Sequence, residues 1–175
     1  RIVAGFHRDT MFLGLGEREQ AAAQQVFLRL VTLGEGTEDT RRRAPRSELK
    51  AVVEDVDLLD EIVEAFAAYR LLALDTDPGT RTPTVELAHE ALIREWERLR
   101  GWLNASREDI KQQRQIAALA TDWDDHERDT ALLVRGSRLK QFAGWAEGTP
   151  LALTSRERAF LAASATEQTH QQELE

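Results

Sequence analysis

The stretch RLLALDTDPGTRTPTVELAH, residues 70–89, constrains this chain more than any other, because it interrupts a helical period and then hands back to one. Two alternating arms flank DPGT, where Pro78 and Gly79 suit the two central positions of a type II turn. In the second arm Val85, Leu87 and His89 fall on one face and Glu86 on the other, as the two-residue repeat of a strand requires. The pattern predicts a β-hairpin whose tip is residues 77–83. From Glu90 the repeat is helical again, with Leu92, Trp96, Leu99 and Leu103 in one stripe and Trp102 beside it.

Helix is predicted on both sides of this hairpin. After a break at Gly14–Gly16, EREQAAAQQVFLRLVTL sets Ala23, Phe27, Leu30 and Val31 on one helical face. GEGTEDTRRRAPR then reads as a polar loop with a three-arginine run and Pro45. Ser47 is the expected cap of a short helix through Val53, and Asp57 of a second whose core stripe is Leu59, Ile62, Val63 and Phe66. The order helix, short extended piece, helix, helix, hairpin, helix is that of a winged-helix domain, with the hairpin as the wing. Beyond it, Ser106 and Asp109 have capping-box spacing ahead of Ile116, Leu119, Ala120 and Trp123. Leu132, Leu139, Phe142 and Trp145 supply a further apolar set, and Thr154 with Glu157 a second capping box. The fold class expected is mainly α: a lead-in over 1–15, a winged-helix domain over 16–104, a helical domain over 105–165, and a polar tail or linker helix over 166–175.

Composition removes several function classes. Among 175 residues there is no cysteine, so thiolate metal sites, disulfides and cysteine nucleophiles are out. With 31 acids against 23 bases the net charge is −8, which disfavours a dedicated nucleic-acid or anionic-membrane binder. No apolar run approaches the roughly 18 residues of a membrane span, so the cytoplasm is the expected location. The chain opens on Arg1 with Met11 as its sole methionine, and is expected to be a piece of something larger.

The motifs narrow the field further. HEALI begins like the zinc-protease motif HExxH, but Ile93 stands where the second histidine belongs, and His7, His126 and His170 lack ligand spacing. GxSxG and GxxxxGK[ST] are both missing, so the chain alone is expected to be no enzyme and to hold no cofactor. DNA is the natural proposal for a winged helix, yet the helix before the wing carries Asp57, Asp60, Glu61 and Glu64 and would repel phosphates. The Arg41–Arg43 run is either a solvated charge cluster or a contact for a nucleotide phosphate or an acidic partner domain. His89 has two accounts. It is an inward-facing core histidine hydrogen-bonded at the strand end, or, beside a helix N-terminus, a donor to an anionic group.

FLRLVTLGEGTEDTRRRAPRSEL, VELAHEALIREWERLRGWL, LLVRGSRLKQFAGWAE and RERAFLAAS, in that order, resemble the C-terminal part of the bacterial novel STAND NTPases. These are signal-transduction ATPases related to the NACHT and apoptotic-ATPase groups. The resemblance runs from about Gly16 to Ser164. It implies an upstream ATPase core that binds ADP or ATP with Mg, covered by a winged helix and followed by a downstream sensor such as a WD-repeat propeller. It also implies oligomerisation on activation. In the apoptotic relatives a Met-His-Asp motif opens the last winged-helix helix, and its histidine meets the ADP β-phosphate. Ala88, His89 and Glu90 occupy its three places, with Ala for Met and Glu for Asp, which makes His89 the nucleotide-sensing candidate. Glu90 is expected to favour the helix start, and Arg94, one turn on, to pair with it. The alternatives are a DNA-binding winged-helix regulator and a protein-interaction adaptor in which His89 is only core.

Overall fold

The structure is a computed structural model that describes residues 2–175, with side chains from Arg8 onward. It divides into two compact units, Arg1–Arg107 and Glu108–Glu175. The fold is mainly helical with a small β wing. In the first unit α1 (Ile2–Leu13) and α2 (Glu17–Leu28) precede the short strands β1 (Val31–Thr32), β2 (Thr40–Arg41) and β3 (Ala44–Pro45). Then come α3 (Arg46–Val52), α4 (Val56–Ala68), the hairpin β4 (Leu72–Thr76) and β5 (Pro83–Leu87), and α5 (Ala91–Glu95). The long α6 (Glu97–Asp125) begins here and supplies residues to both units. β1 pairs with β2, and β5 lies between β3 and β4, all antiparallel.

The helical stripes expected from spacing form the core. Ala23, Phe27, Leu59, Ile62, Val63 and Phe66 are buried, as are Leu92, Trp96, Leu99 and Leu103. α4 ends where the alternation begins, and the backbone shows why. Arg70 takes a left-handed φ of 60°. Its N–H and that of Leu71 donate back to the carbonyls of Ala67 and Phe66, at 2.9 Å each. That is a Schellman closure, usually built on glycine, and it leaves Leu71 buried as the chain turns into β4.

Several local expectations are corrected. Leu30 and Val31 are buried but lie past the end of α2, and Val31 sits in β1 opposite Arg41. Ser47 caps nothing, since α3 starts at Arg46 behind Pro45. The cap of α4 is Asp55 rather than Asp57, its carboxylate accepting from the Leu58 N–H at 3.1 Å. The wing tip is not a type II turn on Pro78–Gly79, because Arg81 holds the left-handed position, at φ 58°. Asp77 sets this longer tip: its carboxylate accepts from the N–H groups of Gly79 and Thr80, and its carbonyl from Arg81 at 2.7 Å. The helix expected from Glu90 is broken at Trp96, whose ψ of 100° is extended, so α5 has only five residues. Ser106 opens no helix either, lying inside α6, and Asp109 instead accepts from the Trp145 indole at 2.7 Å.

The loop before the arginines is braced rather than loose. Gly34 donates its N–H to Asp39 at 2.8 Å, and any Cβ there would overlap the Thr37 and Glu38 carbonyl oxygens. Asp39 is also gripped by both terminal nitrogens of Arg107, at 3.1 and 2.7 Å.

In the second unit α6 runs on, followed by a 3-10 turn at Thr130–Leu132, α7 (Gly136–Gly148) and α8 (Ser155–Leu174). Ile116, Ala120, Trp123, Leu139, Phe142 and Phe160 make its core with Leu133 and Val134. Thr154 and Glu157 form the capping box the spacing predicts. Glu157 is itself buried and accepts from Gln113 on α6 at 3.0 Å. Residues 166–174 continue α8.

Two outcomes follow for stability. Thr154→Ala removes the cap and costs about 1 kcal/mol, whereas Glu157→Ala costs more, because it also strips the buried Gln113 amide of an acceptor. Urea denaturation of both variants ranks them. The carboxyls of Asp9 and Asp39 are held below the usual range, chiefly by hydrogen bonds from Arg98 and Arg107 respectively. A depressed folded value stabilises the protein above the unfolded value of about 4 and the benefit is lost as pH falls through the folded one. Melting temperature therefore falls with pH below about 4, and Arg107→Met flattens the share due to Asp39.

Candidate functional site

The site candidates gather where β5 gives way to α5. Ladder pairing ends with Leu72 opposite Leu87, and the Ala88 N–H donates to the Leu71 carbonyl at 3.0 Å. Val85 and Leu87 are buried, but the alternation lapses at Ala88, where the chain bends, and His89 is exposed. The core-histidine account is overturned on this point. His89 faces solvent because its strand has ended two residues earlier, and its imidazole makes no hydrogen bond or ion pair among the described residues.

The arginine run holds this corner together, which is not what a solvated cluster does. Arg41 lies in β2, and its Nη1 donates to the carbonyls of Leu87 and Ala88, at 3.2 and 3.5 Å. Its Nε and its backbone N–H both point at Glu90 Oε1, at 3.3 and 3.4 Å. These carbonyls lie at and just past the end of β5, and a side chain supplies the donors a further strand would have supplied. Arg42 grips Glu48 with two bonds of 2.7 Å and also donates to the Arg29 carbonyl at 2.9 Å. Arg43 meets Glu86 across the β3–β5 pair at 3.3 Å. The three guanidiniums thus point to three different carboxylates.

Glu90 immediately precedes α5 but accepts no backbone N–H of the helix, so its support for the helix start is not a capping bond. Nor is it the partner of Arg94, which lies 3.6 Å from Glu38 with both side chains largely exposed. Glu90 belongs to Arg41 instead. Spacing along a helix suggested the first pairing, and the tertiary return of β2 to this corner decides the second.

Chemically the corner is a braced backbone segment presenting one exposed imidazole. A helix of five residues has little dipole, so an anion at His89 would gain little from α5 itself. Any attraction rests on the imidazole and the Arg41 guanidinium, with the Glu90 carboxylate opposing. Among the described residues no group of three His, Asp or Glu side chains is placed to hold a metal ion. No helix there is long and apolar enough to cross a membrane.

Arg41→Ala strands two carbonyls and frees Glu90, which costs about 1–2 kcal/mol. Arg94→Ala removes only an exposed ion pair and costs below about 0.5 kcal/mol. Chemical denaturation of the two variants separates these roles.

In comparison with known proteins, the family model described as Novel STAND NTPase 1 matches residues 5–131. No curated protein and no solved structure matches the chain.

Proposed function

The chain belongs to the Novel STAND NTPase 1 family, and from that premise we propose that it is a non-catalytic regulatory segment of such an NTPase. In this reading the winged-helix unit covers an ADP or ATP site on an upstream core. His89 is the residue that answers to the phosphates, and the segment relays the nucleotide state to modules downstream. The observation that carries the proposal is the exposure of His89 on a corner whose backbone is fixed from behind by Arg41. An imidazole with no partner of its own and a rigid mounting can meet a ligand from another domain without reorganising first.

Arg41, Arg42 and Arg43 each already have carboxylate partners, so a phosphate contact from any of them would compete with an existing ion pair. Their part in this mechanism is to hold the corner. A DNA-binding role draws no support from α4, where Asp57, Glu61 and Glu64 are exposed along the helix that would enter the groove.

The mechanism is a difference in affinity between two states. If His89 meets ADP in the closed state only, losing the imidazole weakens closure by the coupling energy, commonly 1–3 kcal/mol or about 5- to 150-fold. The test is ADP release from the full-length NTPase, compared with its His89→Ala variant, together with the melting temperature of this chain. Release is expected to accelerate at least about fivefold, while melting stays unchanged because an exposed, unpartnered side chain has been removed. Unchanged release would remove His89 from the nucleotide and the proposal with it.

A further inference from the structure

The stripe that spacing assigns to a single helix breaks at Trp96, and α1 is fastened to that break. Arg98, two residues past the break, holds Asp9 of α1 with two bonds of 2.6 and 3.1 Å and lies 4.8 Å over the Phe12 ring. Phe12 is buried edge-on against Trp102 at 5.1 Å and against Trp96 at 6.5 Å. Arg8 reaches Glu95, the last residue of α5, at 3.9 Å. Arg100 donates across the break to the Arg94 carbonyl at 3.1 Å. Every one of these contacts spans or flanks the joint between α5 and α6.

The joint also carries an unmet demand. Trp96 is buried, yet its indole N–H has no hydrogen-bond partner among the described residues. The Asp9 carboxylate is near enough for that indole to add to the lowering of its pKa, behind the larger effect of Arg98. A buried donor without an acceptor is costly, and a small shift of α1 would satisfy it. A carboxylate has lone pairs beyond the two that Arg98 occupies, so Asp9 can accept from the indole and keep the Arg98 pair.

We infer that α1 is a latch on the α5–α6 joint: Asp9 holds Arg98 beyond the break and Arg8 reaches Glu95 before it, and this clasp sets how firmly α5, and with it the His89–Glu90 corner, is held. Arg98 and Glu95, which α1 holds, lie at the joint, while Glu90 immediately precedes α5. Movement of α1 therefore reaches the corner through five residues of helix and no loop. The regulatory consequence rests on the nucleotide role proposed for His89. The mechanical coupling does not.

Amide hydrogen exchange of the whole chain without nucleotide tests the coupling. Arg98→Met is expected to speed exchange at Leu92, Ile93 and Trp96 by about tenfold, a 1.4 kcal/mol loss of local stability, and leave α4 unchanged. Arg98→Lys should restore part of the protection, since one ammonium donor can still reach Asp9. Exchange rising in α1 alone, rising equally through α4, or staying as in the parent overturns the latch. ADP release from the full-length protein is a separate readout. Faster exchange in Arg98→Met beside unchanged release in His89→Ala keeps the latch and removes the nucleotide role.

Discussion

The first unit depends on one ring. Phe27, fully buried on α2, meets Phe66 of α4 edge-on at 5.0 Å and Trp96 at 5.1 Å, and lies 6.5 Å from Trp102 of α6. Edge-to-face pairs contribute beyond the apolar area they bury, and they fix angle as well as distance. Through this single contact α2, α4 and the α5–α6 joint share one frame. Phe12 extends the same cluster to α1. The wing, the arginine strands and the exposed histidine all take their places relative to it.

Charge does the finer placing, and it works across the fold rather than along helices. Asp9 with Arg98, Asp39 with Arg107 and Glu48 with Arg42 are bidentate pairs that join segments distant in sequence or close a tight return. Arg29 adds its buried guanidinium to Glu48, at 3.7 Å. A chain with a net charge of −8 has no surplus of bases. Its arginines in the first unit are largely engaged in structure, and what this leaves at the corner of β5 and α5 is an imidazole rather than a basic patch.

How much of this was legible in the sequence varied with the range of the interaction. Periods of 3.6 and 2 located α2, α4 and the hairpin, because each depends on residues a few places apart. Leu59, Ile62, Val63 and Phe66 were found this way. Caps and turns were missed by one step where two acidic or turn-forming residues stood close together, as with Asp55 against Asp57. At the wing tip it was Arg81, not Gly79, that took the left-handed position. The break at Trp96 was invisible, since Leu92, Trp96 and Leu99 keep helical spacing through it. The ion pairs of the arginine run are not legible in the sequence, because its partners, Glu48, Glu86 and Glu90, follow from the β3–β5 register and the return of β2, which no local pattern encodes. His89 was singled out by position and its exposure was not foreseen, because the alternation of β5 carries on in the sequence after the strand has ended.

That register has a kinetic side. β4 and β5 are joined by a short turn and can zip locally, whereas β3 reaches β5 only after α3, α4 and the hairpin are in place. Closing so long a loop is slow, and its contacts are added late. β3 is also only two residues long and lies at the edge of its sheet. The Arg43–Glu86 pair rests on that edge, whereas Arg41 is held in the local β1–β2 pairing, so the two ends of the arginine run depend on contacts of different range.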